Sequence, residues 1–509
     1  MDDSRTLAAD ARPGGPERDE SRRTVSPATG AMDSLPLVID LDGALIKTDS
    51  LDETFLDVLR SDPRALLALP LRLFHGRMAV RAFLADRSPL DVEAWPVHEA
   101  FLDYVRREAE GGRSVVLATA GSRSIAEAMA RRFSFISEVI AWDAGETLEG
   151  EAKARRLRER FPQGFIYAGD SAADLAVWEE AAEIVLVNAP TAVARRAGRM
   201  DAPVTRFPRE PASPGAFQRA FRLHQWVKNA LIFVPLVLGG RIADPLAWRA
   251  AFLGFIAFGC AASATYVIND LMDLPNDRRH WSKRARPFAS GELSIRTGFL
   301  MAATGLAAAG AIAASLGPTN AAMLGLYVAA TLAYSFGLKS VPILDVFMLA
   351  GLFTLRLAFG VTLTQVRLSP WLLVFSMFIF LSLSMAKRHT EVLRMIERGL
   401  TASYGRGYVP SDAPLTLGIG LASMLGATLL FIIYLIDVAF PQGFYASPIC
   451  LWAIPGVLFL FLGRIWLICQ RGQLRDDPVV FVLKDRLSMV LCGLIGLSFS
   501  AAVVGLRWV

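Results

Sequence analysis

Residues Asn269–Pro287 read "NDLMDLPNDRRHWSKRARP" and hold three aspartates, five lysines and arginines and one histidine. They follow directly on Trp248–Ile268, "WRAAFLGFIAFGCAASATYVI", an apolar run long enough to cross a bilayer, which takes ~20 residues. Charge in or beside lipid is costly and marks function. Asp270, Asp273 and Asp277 stand at i, i+3 and i+7, which on a continuous helix is one face. Carboxylates so placed repel one another unless a cation joins them. Mg2+ suits them, because it takes oxygen ligands, keeps waters and accepts phosphate oxygens. Arg278, Lys283, Arg284 and Arg286 follow, and such groups bind phosphate directly. Metal and bases at a membrane surface point to a diphosphate leaving group, whose departing oxygens need their charge neutralised. A cluster that only sets membrane topology would account for the bases but not for aspartates at helical spacing. Pro275 falls between Asp273 and Asp277 and is expected to break or kink the helix, re-aiming Asp277.

The 509-residue chain is 53% hydrophobic and 20% charged, an average over two unlike halves. Charges occur throughout up to about Phe207, and long apolar runs dominate from about Trp226. The break falls in "RFPREPASPGAFQRAF", read as a linker over 206–220 leading into an interfacial helix. Residues 1–33 are polar and rich in Arg, Asp, Gly and Pro, with no apolar segment behind them. They read as a disordered tail rather than a secretory signal. The net charge of +5 would hint at nucleic acid in a soluble protein. Here the bases of the apolar half gather in particular membrane loops, so no nucleic-acid partner is expected. Cys260, Cys450, Cys469 and Cys492 match no zinc or CxxC spacing and read as small buried apolar residues.

Nine apolar segments are candidate membrane helices: about Trp226–Gly240, Trp248–Leu271, Thr297–Leu316, Ala321–Leu338, Leu344–Thr362, Pro370–Met385, Leu415–Val438, Cys450–Cys469 and Leu487–Leu506. The loops after the second, sixth and eighth are strongly basic, while "GPTN" and "DVAFPQGFYASP" on the other side carry no base. With nine helices and an inside N-terminus, every basic loop faces the cytosol, together with the soluble half.

At "NDLMDLPND" the chain resembles the UbiA-type intramembrane prenyltransferase superfamily, whose members carry an NDxxDxxxD motif at the cytosolic end of the second of nine helices. The resemblance runs from about Phe221 to the C-terminus and implies an all-α polytopic membrane domain over 221–509 that binds Mg2+-diphosphate. "HQWVKNALIFVPL", "DRRHWSKRARPFASG", "YSFGLKSVPILD" and "KRHTE" are most similar to the decaprenyl-phosphate phosphoribosyltransferase branch. Enzymes of that branch take phosphoribosyl diphosphate, lose diphosphate from ribose C1 and join that carbon to a polyprenyl phosphate oxygen. Typical prenyltransferases carry a second Asp-rich motif after the fourth helix; here that region offers Asp345 alone, near Lys339. Trp281 also stands where the phosphoribosyl branch often has Pro. The resemblance implies Asp270, Asp273 and Asp277 as catalytic, metal and diphosphate ligands. It makes Asn269, Lys228, Arg278, Lys283, Arg284, Arg286, Lys339 and Arg356 candidates for substrate contact. For Lys339, snorkelling at a membrane end is the competing explanation. For Lys387, Arg388 and the "LRDDP…LKDR" loop, a charged cytosolic loop is the favoured one.

In the soluble half, "PLVIDLDGALIKTDS" is a strand-like run ending in Asp40 and Asp42. "GGRSVVLATAG" repeats the pattern with Thr119, "EGEAKARRLRERF" opens a helix carrying Lys153, and "FIYAGDSAADLAVW" ends a strand at Asp170 with Asp174 beyond. Alternating strands and helices imply an α/β domain with a parallel sheet, whose strand C-termini carry the site. Taken in order, the four pieces resemble the motifs of the haloacid dehalogenase (HAD)-like phosphohydrolases, over 34–205. That resemblance implies Asp40 as nucleophile, Asp42 as acid/base, and Thr119 and Lys153 as phosphoryl ligands. It has Asp40, Asp170 and the Asp42 carbonyl hold Mg2+, with Asp174 in support. Ala44 replaces the commoner Thr of DxDGT. Residues of about 48–112 have helical patterning and are expected to form a cap that sets substrate choice. Within it, "PLRLFHGRMAVRAFLA" is apolar and basic and suits either cap packing or a membrane surface.

The expectation is therefore an integral inner-membrane enzyme with Mg2+ in both domains. The membrane half moves phosphoribosyl from phosphoribosyl diphosphate to a polyprenyl phosphate, and the HAD-like half removes the 5-phosphate. The alternatives are prenyl transfer to an aromatic or lipid acceptor, which the lone Asp345 argues against, and a non-catalytic membrane scaffold.

Overall fold

The computed structural model describes residues 34–142, 149–208, 211–367, 369–400, 406–441, 443, 445–474, 481 and 485–505. The tail at 1–33 and most of the "LRDDP…LKDR" loop lie outside them. Two compact units emerge: Met1–Leu45 with Val97–Arg209, and Ile46–Pro96 with Glu210–Val509.

In the first unit six strands form one parallel sheet: β1 (Leu37–Ile39), β2 (Val115–Ser122), β3 (Ile136–Trp142), β4 (Ile166–Gly169), β5 (Glu183–Val187) and β6 (Val204–Phe207). Their order is β3-β2-β1-β4-β5-β6, with every pair parallel. The expected parallel α/β sheet is therefore present. Strands buried on both faces read as continuous apolar runs, and β1 and β4 are buried throughout. One side of the sheet packs Val38, Val116, Tyr167 and Ile184 with Leu157 and Trp178. The strand order reverses at β1, so the ends of β1, β2 and β4 open on one crevice, the place where such sheets bind ligands. The sheet extends into the segment read as linker, because β6 pairs with β5 and Phe207 packs on Phe101 and Tyr104.

The segment expected as one cap divides. Residues 46–96 pack with the second unit, while the helix Glu99–Glu110 stays with the sheet. The cause is a set of ion pairs and apolar contacts. Arg278 reaches Glu53 with two hydrogen bonds of 2.9 and 2.6 Å, both side chains being buried. Arg279 pairs with Asp91, and Arg296 with Asp49 and Asp52. Leu56 joins Leu271, Leu274 and Phe288 in one apolar cluster.

The remainder of the second unit is helical. Among the described residues seven helical stretches are long and apolar enough to span a bilayer: Pro245–Met272, Ile295–Ser315, Leu344–Thr364, Pro370–Glu397, Pro410–Ala439, Pro448–Gln470 and Arg486–Val504. The expected count of nine is not reached by that measure. Trp226–Gly240 is instead the 3-10 helix Leu223–Phe233 continued by the short α-helix Val234–Leu238. Pro318–Phe336 is a 19-residue helix whose Asn320, Tyr327, Thr331 and Ser335 lower its apolar content. The cysteines are free; of the four expected to be buried only Cys469 is, Cys260 and Cys450 are half-buried, and Cys492 is exposed because it lies on Arg486–Val504, the least covered of these spans.

Candidate functional site

Two clusters of charged side chains stand out, one in each unit. In the sheet unit, Asp40 follows β1, Thr119 is the fifth residue of β2 and Asp170 follows β4. Lys153, from the helix Glu151–Arg160, donates to Asp40 Oδ1 at 2.9 Å. Asp174 is buried and accepts from the Tyr167 hydroxyl at 2.7 Å, the Ser171 N–H and hydroxyl at 2.9 Å each, and the Asp170 N–H at 3.1 Å. Thr119 is buried and accepts from the Gly121 N–H at 3.0 Å. Gly43 has φ +76°, and a Cβ there would overlap the Asp170 carboxylate, so this turn brings the backbone onto Asp170.

Carboxylate oxygens of Asp40, Asp170 and Asp174 lie within 4.8 Å of one another. Burial, together with Asp40, Asp174 and Asp42, pushes the Asp170 carboxyl up to about 8. Burial also raises Asp40, against the pull of Lys153. Lys153 is itself desolvated, yet Asp40 and Asp174 hold its ammonium above the ordinary range. Crowded carboxylates with raised pKa values and one lysine are what a divalent cation would relieve. The residues present therefore fit Mg2+.

The second cluster is built on Asn269–Pro287. The span ends at Met272, Asp273 is the junction, and Leu274–Arg279 begins a new short helix. Pro275 sits in its first turn, where its missing N–H costs nothing. Pro275 thus marks a break, and the three aspartates do not share one continuous face. Arg286 Nη1 donates to Asp270 Oδ1 at 3.0 Å and to Asp277 Oδ2 at 2.6 Å, joining the two. Arg222 also reaches Asp270, and Lys283 lies 3.7 Å from Asp277. Asp273 turns elsewhere, accepting from Lys339 at 2.6 Å and from Asn269 at 3.1 Å. Asp277 Oδ1 is buried without a hydrogen-bond partner. Arg286 occupies the position between carboxylates that a cation would take, and the orphaned oxygen is a lone pair ready for one. Asp270 and Asp277 thus offer the donor chemistry of a divalent-ion site, but among the described residues the three aspartates do not converge as Asp40, Asp170 and Asp174 do, because Asp273 is held by Lys339.

The other substrate-contact candidates separate. Arg284 is exposed, and Arg278 is taken up by Glu53. Arg356 is buried on Leu344–Thr364 and donates to Asn229 Oδ1 at 3.0 Å, the Leu352 carbonyl at 2.6 Å and the Tyr327 hydroxyl at 3.1 Å. It meets no carboxylate among the described residues. Its guanidinium lies over Phe353, as does the Lys228 ammonium.

A model of the UbiA prenyltransferase family matches residues 231–489, over half of the sequence. The chain belongs to the UbiA prenyltransferase family. Residues 37–179 match the haloacid dehalogenase-like hydrolase family, so this UbiA-family chain carries a HAD-like domain at its N-terminal side. An uncharacterized protein of Sinorhizobium fredii is 41% identical over 92% of this chain and 91% of its own length. A decaprenyl-phosphate phosphoribosyltransferase of Mycobacterium tuberculosis is 30% identical over 54% of this chain and 89% of its own. A solved UbiA homolog from Archaeoglobus fulgidus bound to DMAPP and Mg2+ is 17% identical, with TM-score 0.45, covering 57% of this chain and all of that one.

Three residues of the UbiA-type domain escaped the sequence reading. Arg222 was not singled out, although it contacts Asp270. Arg388, read as part of a charged loop, is fully buried and donates to Asp345 Oδ2 at 2.5 Å and Glu391 at 2.6 Å. Tyr408 donates to Asp345 Oδ1 at 2.7 Å. Asp345 sits at the start of one apolar helix and Arg388 near the end of the next, an antiparallel placement that would have signalled the pair.

Proposed function

We propose that the UbiA-type domain transfers phosphoribosyl from phosphoribosyl diphosphate to a polyprenyl phosphate. We further propose that the HAD-like domain removes the 5-phosphate from the product, with both sites on the cytosolic face. The observation that carries the donor assignment is the state of Asp345. Its two oxygens are engaged by Arg388 and Tyr408, and it is wholly buried. The acid that the region after the fourth helix offers for a second metal-diphosphate motif is thus occupied by structural partners, which favours a donor needing one aspartate cluster over a prenyl diphosphate. The Mycobacterium tuberculosis relative, a decaprenyl-phosphate phosphoribosyltransferase, adds support.

In the transfer, an oxygen of the polyprenyl phosphate bonds to ribose C1 while the C1–O bond to diphosphate breaks. The diphosphate leaves with the bonding electron pair. Asp270, Asp273 and Asp277 would hold Mg2+, which neutralises charge on the departing oxygens. Arg286, Lys283 and Lys339 are within reach of those aspartates and would turn to the phosphates. The acceptor phosphate suits Arg356 and Lys228, buried cations on one aromatic ring.

In the HAD-like domain, Asp40 attacks the 5-phosphorus and the ribose 5-oxygen departs, protonated by Asp42. Water then attacks the aspartyl-phosphate, giving its proton to Asp42 and releasing phosphate. Lys153 and Thr119 would hold the phosphoryl oxygens, and Asp40, Asp170 and Asp174 would hold Mg2+, which would neutralise charge on the phosphoryl group.

Purified protein given phosphoribosyl diphosphate, Mg2+ and polyprenyl phosphate should form a lipid-linked ribose, read by mass spectrometry of the lipid extract. Absence of that lipid, with reaction of a prenyl diphosphate and an aromatic acceptor, would overturn the assignment.

A further inference from the structure

Residues 63–85, "PRALLALPLRLFHGRMAVRAFLA", have no place in either reaction above. They hold Arg64, Arg72, Arg77 and Arg81 and no acidic residue. Ala65, Leu66, Ala68 and Leu69 turn inward onto Val58, Phe83 and Leu84. The apolar side chains between and after them turn outward: Leu67 is 82% exposed, Leu71 63%, Leu73 60% and Phe74 89%. Arg64 and Arg72 are exposed beside them. Cap packing, one of the two expectations for this stretch, accounts for the inward set only. A cluster of four large exposed apolar side chains with arginines around it marks an interaction surface.

The neighbourhood says what covers it. This segment belongs to the same unit as the membrane spans. It packs on the helix Ser50–Ser61 through Leu51, Phe55 and Val58. That helix in turn meets the first turns of the span Ile295–Ser315. Arg296 pairs with Asp49 and Asp52, and Phe55 packs edge-on against Phe299 at 5.7 Å. Leu300, next to Phe299, is exposed on the surface the span offers to lipid. Apolar surface therefore runs from Leu300 through Phe299 and Phe55 to the 63–74 segment. An apolar face carrying arginine and lacking acid, continuous with a lipid-facing surface, has the chemistry of an interfacial element on anionic headgroups.

We propose that residues 63–85 form such an element, with Leu67, Leu71, Leu73 and Phe74 inserted among lipid chains and Arg64 and Arg72 on anionic headgroups. Its occupant is the bilayer surface at the end of the spans where Asn269–Pro287 lies. The assignment stands whatever the donor of the transfer reaction is.

The test places an environment-sensitive fluorescent amino acid at position 74 of the full chain by amber suppression, with reconstitution into vesicles. In phosphatidylcholine with phosphatidylglycerol, the emission shifts to the blue and is lost when nitroxide-bearing lipids are included. In phosphatidylcholine alone the loss is weaker, and R64E/R72E abolishes it in both kinds of vesicle. Three results overturn the proposal. One is water-like emission in every vesicle. Another is equal quenching with and without phosphatidylglycerol, unchanged by R64E/R72E. The third is a blue shift that nitroxide lipids leave intact and that fades as protein is diluted in lipid, which assigns the patch to a second copy of the chain.

Discussion

Asp170 has its carboxyl pushed up to about 8 by burial and by Asp40, Asp174 and Asp42. A carboxyl raised on folding binds its proton more tightly in the folded state than in the unfolded chain. This group therefore weakens the cation-free fold progressively as pH rises from about 4 to about 8, and no further above that. A bound cation must displace the proton below that pH. The apparent Mg2+ affinity of the proposed phosphatase reaction is expected to rise about tenfold per pH unit up to about pH 8 and then level off. Titrating Mg2+ at a series of pH values reads this directly, and an affinity independent of pH would remove Asp170 from the ligands. The acidic positions were readable from motif order, because strand ends in a parallel sheet place them together. The partners of the basic residues were not readable. Arg278 and Arg286 stand eight residues apart in one charged stretch, yet one binds Glu53 and the other joins Asp270 to Asp277.

The break at Asp273 was foreseeable from Pro275, since proline belongs in the first turn of a helix and not in its interior. The consequence for Asp273, which turns to Lys339, was not, because Lys339 lies on a different helical segment. For Leu344–Thr364 and Pro370–Glu397 the antiparallel order hinted at a pair, but not at which carboxylates Arg388 would take, since it meets both Asp345 and Glu391. Asp345 and Arg388 lock these neighbouring helices together near their Asp345 end. Removing the Asp345 charge leaves Arg388 with Glu391 as its remaining carboxylate and weakens the acceptor of Tyr408. Asp345→Asn should therefore cost roughly 1–2 kcal/mol of stability, measured by thermal unfolding in detergent, with the KM for the diphosphate donor unchanged. A raised donor KM without loss of stability would return Asp345 to the donor site and favour prenyl diphosphate.

The two proposed reactions give separable outcomes. Asp40→Asn is expected to leave transfer intact and to stop phosphate removal by roughly a thousandfold or more. The lipid-linked ribose 5-phosphate would then accumulate in extracts analysed by mass spectrometry. Asp270→Asn is expected to abolish both lipid-linked products while phosphatase activity on added lipid-linked ribose 5-phosphate persists. An unchanged product profile in Asp40→Asn would take the HAD-like domain out of this route. The linear order of residues was enough to establish a parallel α/β domain followed by a helical domain of apolar spans, and to nominate the aspartates of each. Hydropathy, periodicity and motif spacing are local properties, and they survive without knowledge of the fold. Folding in three dimensions settled which charges pair, that residues 46–96 pack with the helical unit, that Asp345 is buried against Arg388, and that Leu67, Leu71, Leu73 and Phe74 are left outside. Those outcomes depend on distances between segments far apart in the chain, where one arginine has many carboxylates to choose from and only packing selects among them.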